Sequence, residues 1–517
     1  MWMILPSSNH SLSQHNTMDD QTVSAISGNG RLANSVHGAV FIIVAGMVAS
    51  IIYAYEPLYC SLINNYNWGG VIYLITISAL IVAYWPSLIY RMIIILALPV
   101  PGIVKKHKYT ISTTGVIPPV SIIIAVRNEP ASIVIPLIRS LSDRKCADYE
   151  IVIADNSDVV LDDGSLNRDF LQIAKFAEGR GVRMCRRDSG PHVSESLKFS
   201  NWRVASLRAK GNVEGGKAAN LNLAIRSSDK KFKWFMILDA DSLLPDLTMH
   251  QLLTIGISGN TCNRSVGFVQ SVLLSRNDNE SSVSYALSLT DELYYRAYFK
   301  VKASFGVVSN FGHGVLVSRE AWQATKGFPL EISEDLAWAN KLALTGKFIN
   351  YYAECHTFEG KPINWRALKV QRDRWAKGTT LLLKKQLLPI WKAKNLRFSE
   401  KMDLSYDMMS YAYNAVGCLI PILFMGSGVL GPDGVIVFKT LIPIFYFSLL
   451  IDNILLPLCS LRMALDGDVK KAWKILKAVP MASIYIGGIS SQIFSSVGKA
   501  MVFGRFLFQI TPKEALI

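Results

Sequence analysis

The stretch Trp234-Phe-Met-Ile-Leu-Asp239-Ala240-Asp241-Ser242 joins an apolar segment to two carboxylates that are one residue apart. The apolar segment predicts a buried strand, and side chains at i and i+2 of an extended chain point to the same side. Asp239 and Asp241 can therefore share one hard cation, since Mg²⁺ or Mn²⁺ takes oxygen ligands and readily keeps phosphate oxygens among them. An isolated pair of this kind is also typical of a solvated loop, so its neighbours decide between the two interpretations.

Two further strands are predicted upstream, at Val120–Val126 and Tyr149–Ala154, with a helical pattern at 131–142 between them. Continuous apolar runs of this length suit parallel strands that are buried on both faces. The alternation of strand, polar loop and helix is typical of a doubly wound α/β sheet, in which ligands bind at the carboxyl ends of the strands. Residues expected at those ends are Arg127, Asn128, Glu129 and Asp155.

A glycine turn runs into a predicted helix at Gly215-Gly216-Lys217-Ala-Ala-Asn220. A helix N-terminus and the Lys217 ammonium can together hold phosphate. The segment is not a P-loop, because its spacing differs and no Ser or Thr follows the lysine. A solvated Gly-Lys turn is the alternative interpretation.

Apolar residues make up 50% of the 517-residue chain and are clustered. Uncharged runs at 38–55 and 71–90 are each about long enough to cross a bilayer. Further apolar runs lie at 408–429, 435–458 and 480–499. A buried core helix is the alternative for each run, but two uncharged runs joined by a short loop favour a membrane hairpin.

Basic residues follow the second and fourth runs, whereas the loops at 56–70 and 430–434 contain no Lys or Arg. By the positive-inside rule the polar middle of the chain is expected to be cytosolic. The formal net charge of +15 is then attributed to basic residues near anionic headgroups, and no nucleic-acid partner is expected. The seven cysteines show no C-x-x-C spacing, so no metal is assigned to them.

Five motifs come in one order along the polar middle, and each is weak by itself. They are Asp155 after a strand, Lys217-x-x-Asn220, Asp239-x-Asp241, Glu334-Asp335 and Gln371-Arg372-x-Arg374-Trp375. This order, over residues 118–380, resembles the inverting family 2 glycosyltransferases. It resembles in particular the membrane-integrated branch that contains cellulose, curdlan, mannan, chitin and hyaluronan synthases.

The resemblance implies a nucleotide-sugar donor site at the ends of the strands, in which Arg127, Asn128, Glu129 and Asn220 also take part. Asp155 would accept a hydrogen bond from the nucleotide base, most often uracil. Lys217 would contact the diphosphate, which Asp239 and Asp241 would bind through Mg²⁺ or Mn²⁺. Asp162-Asp163 is an alternative acidic pair for the base, but it follows no strand.

The resemblance also implies a catalytic and acceptor site. Asp335, beside Glu334, would be the general base that removes the proton from the acceptor hydroxyl, although acids in the first turn of a helix can also serve only as caps. Gln371, Arg374 and Trp375 share one helix face. Trp375 would stack on an acceptor sugar, and Gln371 and Arg374 would reach the diphosphate, with anchoring of Arg and Trp at a membrane interface as the alternative. Further contacts to the acceptor or diphosphate are expected from Arg372, Gly312 and His313, with a satisfied turn histidine as the alternative for His313.

A Thr511-Pro-Lys513 segment near the C-terminus resembles the loop that closes over the donor in cellulose synthase relatives. It is expected to act as a gate, with an ordinary basic tail as the alternative. If it is cytosolic, the run at 480–499 must be interfacial or re-entrant.

The predicted fold class is a multi-pass α-helical membrane protein with an inserted cytosolic, doubly wound α/β domain of the GT-A type. The predicted segments are a disordered N-terminus at 1–36, two transmembrane helices at 37–104, the catalytic domain at 105–385, an interfacial helix at 386–403, two transmembrane helices at 404–460 and a C-terminal region at 461–517.

The predicted function is inverting, metal-dependent transfer of a sugar, from UDP-glucose or another UDP-hexose, to a growing β-linked polysaccharide that is exported across the plasma (inner) membrane. The alternative is a non-processive enzyme that adds one sugar to a membrane lipid. The expected partners are the donor, a polysaccharide or glycolipid acceptor, the lipid bilayer, and accessory export or regulatory proteins.

Overall fold

A computed structural model describes most of the chain. The described residues are 22–28, 30–64, 68–73, 75–76, 90, 93–94, 96–100, 102–111, 118–144, 149–159, 164–187, 202–205, 216–426 and 457–502. Their strands are β1 Thr22–Ile26, β2 Lys106–Thr110, β3 Val120–Val126, β4 Tyr149–Asp155, β5 Arg183–Arg187, β6 Trp202–Ala205, β7 Trp234–Asp239, β8 Ser265–Ser275, β9 Val315–Ser318 and β10 Phe348–Glu359.

The described part of the chain also contains helices. They are α1 Gly30–Asn64, α2 Ala131–Ser142, α3 Arg168–Gly179, α4 Gly216–Ser227, α5 Asp246–Ser258, α6 Ser282–Leu293, α7 Phe299–Phe305, α8 Arg319–Ala324, α9 Glu334–Thr345, α10 Trp365–Lys392, α11 Phe398–Gly426 and α12 Val469–Val502. A π-helical turn, Tyr294–Tyr298, joins α6 to α7.

The described strands form one mixed sheet in the order β2-β1-β10-β8-β9-β7-β3-β4-β5-β6. Strand β3 lies between β4 and β7 and is parallel to both. Its register pairs Ala125 with Asp239 and Val126 with Asp155, so the two acidic residues flank the carboxyl end of the same strand. The predicted α/β, GT-A-like sheet domain is therefore confirmed.

Both faces of β3 are buried, as its continuous apolar sequence predicts. Ile122 and Ile124 have no exposed surface and pack in a cluster with Leu137 of α2. Ile123 points to the opposite face, where it packs in a cluster with Ala224 of α4. Each such side chain contributes about 1.5–3 kcal/mol by leaving water, so the apolar run fixes β3 in the centre of the sheet.

The predicted multi-pass membrane architecture and membrane localisation are contradicted. Across the described ranges, no helix combines the length and the apolar character that crossing a membrane requires. The described side chains of the run at 38–55 differ in exposure: Val40 is 1% exposed and packs in a core cluster, whereas Ile42 and Tyr53 are 72% and 80% exposed. In the run at 480–499, Ile493 is 7% exposed and packs in another core cluster. Length and apolar composition alone do not distinguish a membrane span from another apolar helix, and the membrane prediction depended on those two signals.

Other predicted boundaries differ from the observed elements. Thr22–Ile26, within the predicted disordered N-terminus, form β1 because Val23 and Ala25 are buried and β2 and β10 pair with this strand on either side. The predicted interfacial helix at 386–403 is divided between the end of α10 and the beginning of α11. Most of the runs at 71–90 and 435–458, the pair Asp162-Asp163, and Thr511 and Lys513 lie outside the described residues.

Candidate functional site

Several of the predicted site residues lie at one edge of the sheet, where the parallel strands end. Asp155 and Asp239 are the last residues of β4 and β7, on either side of β3. The turn before β9 lies beside the end of β7, since the Gly314 amide donates a hydrogen bond to the Ile237 carbonyl at 2.9 Å. Strand β10 contributes Glu359 at the same edge, where the Glu359 carbonyl accepts from the Arg276 amide at 3.0 Å.

Lys217, on the first turn of α4, lies at the centre of this site. Its ammonium is 2.5 Å from Oδ1 of Asp239 and 3.8 Å from Oε1 of Glu334. It also donates to the Gly312 carbonyl at 3.0 Å. One cation therefore connects three segments that are distant in sequence: the helix after the glycine turn, the D-x-D motif and the Glu334-Asp335 pair.

Glu334 and Asp335 occupy the first turn of α9, and both carboxyls have raised pKa values. Burial raises the pKa of Glu334 to about 7, with Lys217 acting in the opposite direction and Asp335 adding to the rise. Burial also raises the pKa of Asp335, against the lowering effects of its hydrogen bond from the Leu336 amide and of the Lys217 and Arg374 charges. A buried carboxyl with a raised pKa is suited to proton transfer near neutral pH.

Gly312 lies directly against Asp335. A β-carbon on Gly312 would be 2.9 Å from Oδ2 of Asp335, and the residue has φ +83°. Only glycine adopts this backbone conformation without strain while leaving room for the carboxylate. The turn that contains Gly312 therefore contacts both Lys217 and the predicted general base.

Asp155 is buried at the end of β4 and is held by neighbouring donors. Arg186 of β5 donates to its Oδ2 at 2.5 Å, and the Ser157 hydroxyl donates to its Oδ1 at 2.7 Å. Burial raises the pKa of Asp155, although Arg186 and Ser157 oppose that effect. Arg186 was not predicted, because a basic residue in a short strand carries no signal of its partner.

Asn128 follows β3 in a left-handed conformation, φ 51°. Its amide donates to the Ser157 hydroxyl at 2.8 Å, and its side chain exchanges hydrogen bonds with Asp158. Asn128 thus fixes the loop that follows β4. Arg127 and Glu129, on either side, and the buried Asn220 of α4 also make interactions within the protein.

Asp241 is 6% exposed and lies beside Gly360, where a β-carbon would come within 3.0 Å of its Oδ2. Asp239 is more open, with 32% of its side chain exposed. Two carboxylates with hard oxygen donors fit Mg²⁺ or Mn²⁺ when substrate phosphate oxygens complete the coordination. Among the described residues, no group of three or more His, Cys, Asp and Glu side chains could hold a metal without such a ligand.

A chain of ion pairs behind the site was not predicted from the sequence. Nε2 of His313 is 2.7 Å from Oε2 of Glu359, and Lys361 bridges Glu359 to Asp291. Burial disfavours the charged form of Glu359, but the charges of Lys361 and His313 outweigh this effect and lower the pKa of Glu359 to about 2. Burial lowers the pKa of His313, but the nearby Glu359 and Asp239 carboxylates outweigh that effect and raise it.

The Gln371-Arg372-Asp-Arg374-Trp375 motif lies on α10 and is partly buried. Arg372 is 3.8 Å from Asp291 and stacks on the Trp375 ring at 4.5 Å from its centroid. Arg374 is close enough to lower the pKa of Asp335. Arg372 and Arg374 thus reach towards Asp291 and towards the predicted base, respectively.

Comparisons with known proteins agree with the motif order. Residues 121–321 match the family described as Glycosyl transferase family 2, and residues 234–461 match Glycosyl transferase family group 2. Two overlapping regions of the chain thus match glycosyltransferase family 2 models, in agreement with the coarser part of the predicted resemblance. Neither family description singles out the synthase branch that the sequence was predicted to join.

One curated relative, named "Probable glycosyltransferase", comes from Sulfolobus acidocaldarius and is 24% identical over 310 residues. The match spans 57% of this chain and 57% of that relative, less than two thirds of either.

Three solved structures are similar at TM-scores below 0.5. The mannosyltransferase PcManGT from Pyrobaculum calidifontis, in complex with GDP-Man and Mn²⁺, has a TM-score of 0.47 and 15% identity, covering 82% of this chain and 97% of its own. TarS 1–349 from S. aureus has a TM-score of 0.34 and 13% identity, covering 70% and 91%. Mannosyl-3-phosphoglycerate synthase from Rubrobacter xylanophilus has a TM-score of 0.30 and 15% identity, covering 54% and 77%.

Proposed function

We propose that this chain, with its glycosyltransferase family 2 domains, transfers a sugar from a nucleotide sugar to an acceptor hydroxyl with inversion at the anomeric carbon. The observation that carries the proposal is the position of Lys217 between Asp239 and Glu334, with Gly312 joining it to Asp335. A diphosphate-binding cation, a pair of hard carboxylates and a buried proton acceptor are thus within one small volume.

In the proposed reaction, Asp335 takes the proton of the acceptor hydroxyl as its oxygen bonds to the anomeric carbon. The bond between that carbon and the phosphate oxygen breaks, and its electron pair leaves with the nucleoside diphosphate. Lys217 donates to the diphosphate, which compensates the charge that develops on the leaving group. Glu334 lies close to Lys217, and its carboxyl contributes a negative charge beside the ammonium when it is ionised.

Asp239 and Asp241 would hold Mg²⁺ or Mn²⁺ against the diphosphate, and Asp241 is the better placed because Lys217 already pairs with Asp239. When bound, the metal supplies Lewis-acid stabilisation of the leaving group. Lys217 exchanges its contact with Asp239 for one with phosphate when the donor binds.

The donor in this proposal is a UDP-hexose such as UDP-glucose, and the product is a β-linked polysaccharide. Inversion of an α-linked donor gives a β-linkage. Asp155, held by Arg186 and Ser157 at the end of β4, would accept the hydrogen bond from the base, and Trp375 would stack on the acceptor sugar. The predicted export of the product depended on the membrane spans and is withdrawn with them.

The test is product analysis with the purified full-length protein, Mg²⁺ or Mn²⁺ and a panel of radiolabelled nucleotide sugars. We expect polymer from one donor and a decrease of about 10²- to 10⁴-fold in kcat for Asp335→Asn, since a positioned base contributes that much. Asp246→Asn makes the same chemical change at a side chain that is 82% exposed and should retain activity.

Label confined to an extractable lipid would replace the polysaccharide acceptor with a lipid. No transfer from any donor by the folded wild-type protein would overturn the proposed function. Equal activity of Asp335→Asn and wild type would remove Asp335 from its role as general base.

A further inference from the structure

Two buried polar atoms in the turn before β9 have no partner among the described residues. They are Nδ2 of Asn310 and Nδ1 of His313. Asn310 and His313 are 4% and 5% exposed, respectively, so bulk solvent hardly reaches them. Leaving such an atom unpaired is costly, which indicates that a ligand completes its hydrogen bonding.

The other polar atom of each side chain is fixed, and this orients the unpartnered atom. Oδ1 of Asn310 accepts a hydrogen bond from the Gly312 amide at 2.8 Å. This bond distinguishes the oxygen of the side-chain amide from its nitrogen, so the unpartnered atom is the nitrogen, which donates. Nε2 of His313 is 2.7 Å from the Glu359 carboxylate, so it carries a proton. Each side chain is thereby anchored at one end and free to bind at the other.

The turn lies between the two ends of the proposed reaction. Gly312 contacts Lys217, which would bind the leaving diphosphate, through its carbonyl at 3.0 Å. A β-carbon on Gly312 would be 2.9 Å from Oδ2 of Asp335, which would bind the attacking hydroxyl. In an inverting displacement, the transferred sugar is located between the leaving group and the attacking oxygen, so this turn flanks that sugar.

A sugar hydroxyl satisfies both unpartnered atoms whatever the charge of His313. A hydroxyl oxygen accepts a hydrogen bond from the Asn310 amide. It accepts from Nδ1 of a charged imidazole and donates to Nδ1 of a neutral one. A phosphate oxygen can only accept, so it would satisfy only the charged form.

We propose that Asn310 and His313 bind ring hydroxyls of the transferred hexose and thereby determine which nucleotide sugar the enzyme uses. This inference rests on the proposed function and adds the residues that select the sugar. Glu359 acts as a positioning residue, because it holds the imidazole with Nδ1 towards the site. Lys361 in turn fixes Glu359 by pairing with it and with Asp291.

The test uses substitutions that remove one atom and keep the other. Asn310→Asp retains the oxygen that accepts from the Gly312 amide but loses the Nδ2 donor. His313→Gln places an amide near the position of Nε2 and loses Nδ1, whereas His313→Asn places an amide near Nδ1 and loses the contact with Glu359. Thermal unfolding of each variant verifies that it folds.

Each variant is assayed with the preferred donor of the wild type and with donors that lack one ring hydroxyl in turn. We expect Asn310→Asp and His313→Gln to lower kcat/KM by about 10- to 100-fold with the intact donor. With the donor that lacks the contacted hydroxyl, the variant and wild type should be equally slow. His313→Asn should retain more activity than His313→Gln.

Equal losses with the intact donor and with every hydroxyl-deleted donor would overturn the inference, because the residues would then act on the diphosphate or on the fold. The inference would also be overturned if His313→Gln retained activity and His313→Asn lost it. The role of the histidine would then be limited to its contact with Glu359. Failure of the proposed function is distinct, because the wild type would then transfer sugar from no donor.

Discussion

The absence of a side chain on Gly312 leaves room for the Asp335 carboxylate, since a β-carbon on the glycine would be 2.9 Å from Oδ2 of the aspartate. We therefore expect Gly312→Ala to displace the proposed base and to lower kcat by at least about tenfold. This corresponds to a rise of about 1.4 kcal/mol in the activation free energy. Gly164→Ala is the matched control, because Gly164 has φ +80° but no atom within 4 Å of the added carbon. Both substitutions place a side chain on a residue with φ near +80°, so equal kcat values for the two variants would contradict a steric effect on Asp335.

Replacement of Lys217 by Met should affect both donor binding and the proton acceptor. The donor KM should rise because the ammonium no longer meets the diphosphate. Lys217 also lowers the pKa values of Glu334 and Asp335, so its loss should raise them further and move the acid limb of the kcat profile to higher pH. Kinetics across a pH series test both effects, with the exposed Lys230→Met as control. An unchanged acid limb would show that Lys217 does not influence the base.

Asp241→Asn should weaken the response to divalent metal. Removing one charged oxygen ligand should raise the Mn²⁺ concentration for half-maximal rate by about tenfold or more. The measurement is a metal titration at saturating donor, with chelator-treated protein as the starting point. Asp278→Asn, at a partly exposed aspartate, is the control. If the two variants had the same metal response, the D-x-D motif would not bind the ion.

The raised pKa of Glu334 predicts how stability changes with pH. Its folded-state pKa of about 7 lies above the ordinary value of 4.5, so the stability from this group is fully present below pH 4.5 and is lost as pH rises through about 7. Glu334→Gln cannot ionise and should therefore unfold at a higher temperature than wild type at pH 8, with a smaller difference at pH 5.

Thermal unfolding at both pH values measures this difference. Glu331→Gln provides the comparison, because Glu331 is less buried and pairs with the exposed Lys385. A gap between Glu334→Gln and wild type that is the same at pH 5 and pH 8 would show that burial does not raise this pKa.

Much of the sheet was predictable because its signals are local. The apolar run of β3 predicted a buried parallel strand, and the observed Val120–Val126 has the same bounds. Asp155 and Asp239 were expected at strand ends for the same reason, and the register places them on either side of β3. Parallel strands direct their carboxyl ends to one edge, so a strand followed by an acid predicts a shared site without knowledge of the rest of the fold.

The membrane prediction failed for a reason that is also local. An apolar helix has the same composition whether lipid or protein surrounds it. The sequence shows that Val40 and Ile493 are apolar, but only the packed chain shows that each is buried in a protein core cluster. The environment of a helix depends on distant residues, which a window of sequence does not contain.

The sequence alone determined the kinds of residue available at the site and their order, because strand, turn and helix patterns are properties of neighbouring residues. Only the tertiary structure decided which charges meet: Arg186 with Asp155, His313 with Glu359, and Lys217 with Asp239 and Glu334. Ion pairs and hydrogen bonds require approach within about 4 Å, and such approach is fixed by sheet register and helix packing across the whole chain. For that reason the sequence predicted a nucleotide-sugar site, whereas the unpartnered atoms of Asn310 and His313 became visible only in the folded protein.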